Sequence, residues 1–192
     1  MNAVWNSHVR PAAVVLLGLT LITGIAYPAA VTSVAQLAFP HQANGSLIVV
    51  DGRTVGSSLI GQAFGEPAYF WGRPSAAGDG YDANASAGSN LGPTSRELVN
   101  RVSAEVDRLR ASNGDAPIPV DLVTASASGL DPHISPAAAE LQVARVAAAR
   151  DLSEDAVRAL VSRHTEGALL GFLGQRRVNV LELNLDLDGL LQ

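Results

Sequence analysis

The chain has 192 residues, with 18 carboxylates, four histidines, no cysteine, and 13 cationic side chains that are all arginine. That length suits one domain with a small appendage. The missing lysine excludes a Walker A loop, Schiff-base catalysis, the kinase strand lysine, the Ser-x-x-Lys hydrolases and the Asp-Lys-Thr phosphorylation site of P-type pumps. The missing cysteine excludes disulfides, a thiolate nucleophile and Cys-ligated zinc. A net charge of −5, with no basic patch interleaved with aromatics, argues against a nucleic-acid partner.

Apolar residues make up 47% of the chain against 16% charged, and they concentrate near the N-terminus. No residue from Pro11 to Val50 carries a formal charge, and Ala12–Ala38 is almost wholly apolar. A bilayer core of about 30 Å needs roughly 20 helical residues, which this run supplies. Gly18, Gly24 and Pro28 are costly in a soluble helix but tolerated in a membrane span, and Pro28 is expected to kink the span near its outer end. Arg10 and the amino terminus are the only charges on the N-terminal side, and every carboxylate lies at or beyond Asp51. The positive-inside rule then puts residues 1–10 in the cytoplasm, 11–35 in the membrane as one transmembrane helix, and 36–192 outside. A cleaved signal peptide fits the same stretch, with Arg10 in its n-region, Ala12–Ala26 as its h-region and Ser33-Val34-Ala35 at the cleavage site. Both readings make the C-terminal domain extracytoplasmic.

Ser46–Ile60 places two apolar runs about Asp51-Gly52, which predicts a β-hairpin. An aromatic segment, Tyr69-Phe70-Trp71, ends at Gly72-Arg73-Pro74 and is followed by a long small-residue loop, Ser75–Ser95, of a kind that is functional or disordered. Thr94-Ser95-Arg96-Glu97 is a capping-box pattern opening a helix with Leu98, Val102, Val106 and Leu109 at helical spacing, ending near Asn113-Gly114. Val120–Thr124 reads as a short strand, and Ala125–Pro136 as a second small-residue loop. Ser135 caps an alanine-rich helix with Pro136 at its first position, running to about Arg150 with Leu141, Ala144 and Ala148 on one side. Ser153 caps a third helix, Glu154 to Arg163, with Val157, Leu160 and Val161 inward. Val178–Leu187 alternates, so it reads as a strand with Leu181, Leu183, Leu185 and Leu187 on one face and Glu182, Asn184 and Asp186 toward water. The fold class is α+β, an extracytoplasmic domain anchored by one N-terminal transmembrane helix.

Histidine stands beside a carboxylate at Asp131-Pro132-His133 and at His164-Thr165-Glu166. A hydrolytic triad of Ser126 or Ser128 with His133 and Asp131 lacks the Gly-x-Ser-x-Gly elbow, and turn serines and aspartates ordinarily bond local backbone. A metal site from Asp131, His133, His164 and Glu166 lacks the i, i+4 histidine spacing of helical zinc sites. Asp131 fits an Asx-type turn before Pro132, and His164 fits a helix C-terminus, where partial positive charge suits the dipole. Arg53 and Arg73 are expected to pair with local carboxylates. Tyr69, Phe70 and Trp71 read as core or interface anchors. Ser57–Gln62 faintly echoes the Leu-Ser-Gly-Gly-Gln signature of ABC transporters, but a hairpin strand ending in glycine accounts for it more simply.

Several segments together resemble one family, the C subunit of the Kdp-type potassium-transporting ATPase of bacteria and archaea. They are Tyr69–Ala76, Gly88–Thr94, Asp121–Ser126, Gly129–Pro136, His164-Thr165-Glu166, Gly171–Gly174 and Arg177–Leu181. Ala87 and Ala127 stand where the pattern suggests glycine. The resemblance implies a non-catalytic, single-pass subunit in the plasma membrane, needed for the assembled pump. Its partners would be a potassium-channel-like subunit, an ATP-hydrolysing P-type subunit, a small fourth subunit and membrane lipid. It also implies a catalytic chaperone that raises ATP affinity, with Gln62 at the position proposed to take part. ATP would serve the complex and potassium would be its transported ion, with no cofactor bound by a motif of this chain. Tyr69, Trp71, Arg73, Asn90, Asp131 and His133 are the interface candidates. Gln62 falls outside the membrane in this topology while ATP is in the cytoplasm, so an effect on ATP affinity would need coupling across the bilayer. A second expectation is that the acidic domain, through the Ser75–Ser95 and Ala125–Pro136 loops, caps the channel mouth and concentrates cations.

Overall fold

The computed structural model describes residues 5–168 and 170–190. The chain divides into two compact units, one ending at Leu47 and the other starting at Ile48.

The first unit is built on α1 (Trp5–Ala38), 34 residues long and apolar enough to cross a membrane, with none of its most apolar window buried. Its register widens to π-type over Ile22–Ala26, just before Pro28 near the start of the last α-helical segment. Pro28 has no N–H to offer the Gly24 carbonyl, and its ring crowds that oxygen. The missing N–H is accommodated by a local π segment in the turn before it. The Thr23 and Ser33 hydroxyls donate to the Leu19 and Ala29 carbonyls at 2.7 and 2.8 Å, which leaves neither polar group seeking water. The short helix α2 (Pro40–Ala43) follows, and the Gln36 and Asn44 amides pair reciprocally at 3.1–3.2 Å.

The second unit opens with a two-stranded sheet of β1 (Leu47–Val50) and β2 (Arg53–Ser57). Asp51 and Gly52 both have positive φ, +50° and +75°, as a type I′ hairpin turn demands, so the Asp-Gly signal is met. An irregular stretch then runs through the core to α3 (Arg96–Asn113). The cap of α3 is Ser95, one residue later than the Thr94 box expected, because the Ser95 hydroxyl accepts from the Leu98 N–H. Val120–Leu122 is a 3₁₀ turn rather than the expected strand, closed by Leu122 N–H to the Pro119 carbonyl. The Leu122 and Val123 N–H groups turn back on the Pro119 and Val120 carbonyls at 3.1 and 3.2 Å, so neither is free for a ladder.

The core is centred on α4 (Pro136–Arg150), which packs against α5 (Glu154–Arg163) and α3. Ser135 and Ser153 cap α4 and α5 as their sequences predict. The buried face of α4 carries Ala138, Ala139, Gln142, Val143, Val146 and Ala147. Leu141 is half-buried and Ala144 and Ala148 are exposed, so the face read from hydropathy was rotated. The fully buried Gln142 is the cause, since a polar residue masks the true stripe. On α5, Val157 and Val161 are buried and Leu160 packs against the core, as expected.

A small antiparallel sheet orders as β3 (His133–Ile134), β5 (Arg177–Asn179), β4 (Thr165–Glu166), with Ile134 and Thr165 both opposite Val178. The segment expected to continue as a strand to Leu187 instead becomes α6 (Val180–Leu187). Asn179 is its N-cap, accepting from the Glu182 N–H at 3.2 Å. Leucine at every second position also supplies i, i+4 pairs, so both periods fit, and the cap decides. Asn184, expected toward water, is 1% exposed. Asp186 is half-buried and meets His164. The domain is therefore mixed α and β, with more helix and less strand than the alternating pattern implies.

Candidate functional site

The segment after Trp71 leaves the core at Arg73, and a fixed set of polar contacts gathers the two small-residue loops around it. The Arg73 guanidinium donates from Nη1 to Asp131 Oδ2 at 2.9 Å and from Nε to the Thr124 carbonyl at 3.3 Å. Asp131 Oδ1 accepts the His133 N–H at 3.0 Å, the Asx turn its sequence predicts, and the His133 ring lies 3.5 Å from the same oxygen. Burial pushes the Asp131 carboxyl up, but hydrogen bonds from His133 and Arg73 together outweigh burial and hold it below the usual carboxylate range.

Tyr81 crosses behind this pair and donates its hydroxyl to the Arg73 carbonyl at 2.7 Å. Burial, followed by the nearby Asp131 charge, pushes its phenol up to about 12. The Ser75 hydroxyl donates to the Gly129 carbonyl and accepts the Tyr81 N–H, both at 2.7 Å. The Ala87 N–H and the Ser86 hydroxyl both reach the Ser128 carbonyl. The Ser75–Ser95 and Ala125–Pro136 loops are thus one ordered layer. Gly129 makes this possible: its φ is +68°, and a Cβ there would stand 2.6 Å from the Ala77 nitrogen and 2.7 Å from the Ala87 oxygen.

Arg73, Asp131 and His133 line an open groove of about 590 Å³ together with Gln175, Arg176 and Arg177. Asp121, also in its lining, is engaged by Ser135, accepting the N–H at 2.6 Å and the hydroxyl at 3.1 Å. Arg177 pairs with Glu166, whereas Arg176 is exposed and makes no ion pair among the described residues. The groove sets arginines beside two carboxylates already engaged by Arg73 and Ser135, and among the described residues no serine hydroxyl that lines it is hydrogen-bonded to a histidine. Ser126 Oγ lies 3.3 Å from Ser128 Oγ, and neither serine hydrogen-bonds to His133 among the described residues. His164 pairs with Asp186 instead, at 2.8 Å, so the two histidines do not converge. Among the described residues, no group of three or more His, Asp or Glu side chains is placed to hold a metal ion.

Of the remaining sequence candidates, Gln62 lies outside the groove, with Nε2 donating to the Val55 carbonyl of β2 at 2.8 Å. Tyr69 donates its hydroxyl to Asp188 at 2.9 Å and lies under the Arg150 guanidinium. Trp71 is 5% exposed and sits between the Arg108 and Arg145 guanidiniums, 4.2 and 3.9 Å from its ring centroid, which makes it a core anchor. Asn90 is exposed with φ +51°, a left-handed position that asparagine tolerates. Arg73 does find a carboxylate, though one far along the chain, while Arg53 is exposed and makes no ion pair among the described residues. Sequence reasoning missed the residues that hold this layer to the core: Gln142, Asn184 and Arg145. A lone glutamine in an alanine-rich helix was the only local signal.

The sequence profile of the family described as "KdpC: K+-transporting ATPase, c chain" matches residues 9–189. The chain is 64% identical over 186 residues to the potassium-transporting ATPase KdpC subunit of Sorangium cellulosum (strain So ce56), covering 95% of this chain and 98% of that one. It is 59% identical over 187 residues to the protein of the same name from Methylococcus capsulatus, covering 96% and 98%. It is 61% identical over 185 residues to that of Gemmatimonas aurantiaca, covering 95% and 93%. A helix long and apolar enough to cross a membrane and likeness over almost the full length agree: the chain belongs to the KdpC family, the c chain of K+-transporting ATPases.

Proposed function

We propose that this chain is a non-catalytic subunit of a potassium-transporting ATPase, inserted by α1 with its N-terminus in the cytoplasm and its α+β domain outside. There it supports assembly with a channel-like subunit and an ATP-hydrolysing subunit. The observation that carries this reading is α1, a 34-residue apolar helix with no buried residue in its apolar window, on a chain that has no lysine for a phosphorylation motif or phosphate loop. Such a helix finds its solvent in lipid or in partner spans.

A role in raising ATP affinity then acts through conformational coupling across the membrane, since the nucleotide lies on the other side. The placement of Gln62 favours this version, because its amide is engaged with the β2 backbone. The cation-steering role rests on the excess of carboxylates in the outer domain.

The chain has no cysteine, so single thiols can report topology cleanly. In intact cells, a membrane-impermeant maleimide should label Asn84→Cys and leave Asn6→Cys unlabelled. The reverse pattern would place the domain in the cytoplasm and reopen direct nucleotide contact.

A further inference from the structure

We propose that residues 170–177, leading into β5, form a lipid-contact loop, in which Leu170, Phe172 and Leu173 enter the bilayer interface and Arg176 and Arg177 meet the phosphates of anionic phospholipids. The inference rests on the membrane-anchored reading above and adds a second point of contact to it.

Leu170 and Phe172 are 76% and 74% exposed, more than any other large apolar side chain described in the second unit, and Leu173 beside them is 49% exposed. Leu170, Gly171 and Gly174 all have positive φ, +54°, +82° and +90°, and the Gly171 N–H closes a turn on the Ala168 carbonyl at 3.0 Å. No charged residue occurs from Gly167 to Gln175, and two arginines follow at once. Arg176 is exposed and makes no ion pair among the described residues, while Arg177 meets Glu166 and remains 55% exposed.

An apolar tip with guanidiniums at its base matches the two layers of a phospholipid surface, acyl chains below and phosphates above. These cations are set on a domain whose overall charge is acidic, which marks the loop as the part suited to an anionic surface.

The test uses the full chain reconstituted in phosphatidylcholine vesicles with and without phosphatidylglycerol. A spin label at Phe172→Cys reads the loop, one at Val14→Cys reads the span, and one at Asn84→Cys serves as the aqueous reference. The expected result is that the Phe172→Cys label becomes accessible to oxygen and shielded from a water-soluble nickel chelate when phosphatidylglycerol is present. Arg176→Gln and Arg177→Gln should each weaken that shielding roughly fivefold, leaving the Val14→Cys label unchanged. A Phe172→Cys label as water-exposed as the Asn84→Cys label in both vesicles, beside a lipid-buried Val14→Cys label, overturns the loop while sparing the anchor. A water-exposed Val14→Cys label overturns both. Shielding that appears only when the other pump subunits are added means that protein covers the loop, and also overturns the lipid assignment.

Discussion

The Asn184 side-chain amide closes a two-bond ring with the backbone of Phe70. The Phe70 N–H donates to Oδ1 at 2.8 Å and Nδ2 donates to the Phe70 carbonyl at 3.0 Å. One residue on, Gln142 does the same for Trp71, at 2.8 and 3.2 Å. Two amides thus stand in for a neighbouring strand and let an irregular segment cross the core with its backbone satisfied. Asn184→Leu fills similar volume but orphans both Phe70 groups, at about 1–3 kcal/mol each. Denaturant unfolding of the full chain in detergent should show a loss of about 2–5 kcal/mol. The surface control Asn84→Ala should stay within about 0.5 kcal/mol.

Arg145 anchors the same segment from the other side. Its Nη1 reaches the Pro67 and Tyr69 carbonyls, Nη2 the Gln142 side chain and Nε the Asn113 side chain, with its plane on Trp71. Burial, then the neighbouring Arg108, lowers its guanidinium to about 10, so the charge is held at a cost that these bonds offset. Arg145→Lys keeps the charge but loses the planar fork and the stacking. The expected loss is about 2–3 kcal/mol, with altered Trp71 fluorescence.

The Arg73–Asp131–Tyr81 cluster gives the domain two pH limits. The folded Asp131 carboxyl lies below its ordinary value of 3.8, so its contribution is present above that value and is lost as pH falls through the folded one. Asp131→Asn should flatten the acid limb of stability against pH. Tyr81 is raised from 10.0 to about 12, so its contribution is full below pH 10 and is lost as pH rises toward 12. Phenolate absorbance should show a late-titrating tyrosine that vanishes in Tyr81→Phe.

Glycine sets how closely the two loops approach. At Gly61 an added Cβ would stand 2.6 Å from the Tyr81 ring and 2.7 Å from the Asp131 carbonyl oxygen. Gly61→Ala should cost about 1–3 kcal/mol by overpacking, and Gly129→Ala at least as much because its φ is +68°. Gly65, where an added Cβ meets nothing within 4 Å, is the matched position at which alanine should be nearly neutral in the same denaturation series.

If the α+β domain lies outside the membrane and concentrates cations there, neutralising exposed carboxylates such as Asp79, Asp107 and Asp115 should raise the potassium concentration for half-maximal transport. The effect should be clear at low ionic strength and fade as the Debye length shrinks to about 8 Å near 0.15 M salt. No change at low salt removes the steering role.

What was legible in the sequence was local chemistry. Asp51-Gly52 specified its own turn, Ser135-Pro136 and Ser153 their own helix starts, and Asp131 its own Asx turn, because each signal and its consequence lie within four residues. The apolar run to Ala38 was legible because its length alone is informative. Asn184, Gln142 and the Arg73–Asp131 pair were not, since their partners are 114, 71 and 58 residues away. Burying those amides also inverted the polarity pattern, which rotated the face of α4 and turned α6 into an apparent strand. Strands of two residues, such as β3 and β4, carry no period at all.

An intact membrane subunit of a larger pump should be recovered whole and with its partner chains. A pull-down in mild detergent from native membranes, through a C-terminal tag, with intact-mass analysis of every recovered chain, tests it most directly. The expected result is a full-length chain, uncleaved near Ala35, together with two larger membrane proteins, one of them carrying Asp-Lys-Thr. A shortened, soluble chain recovered alone would contradict it.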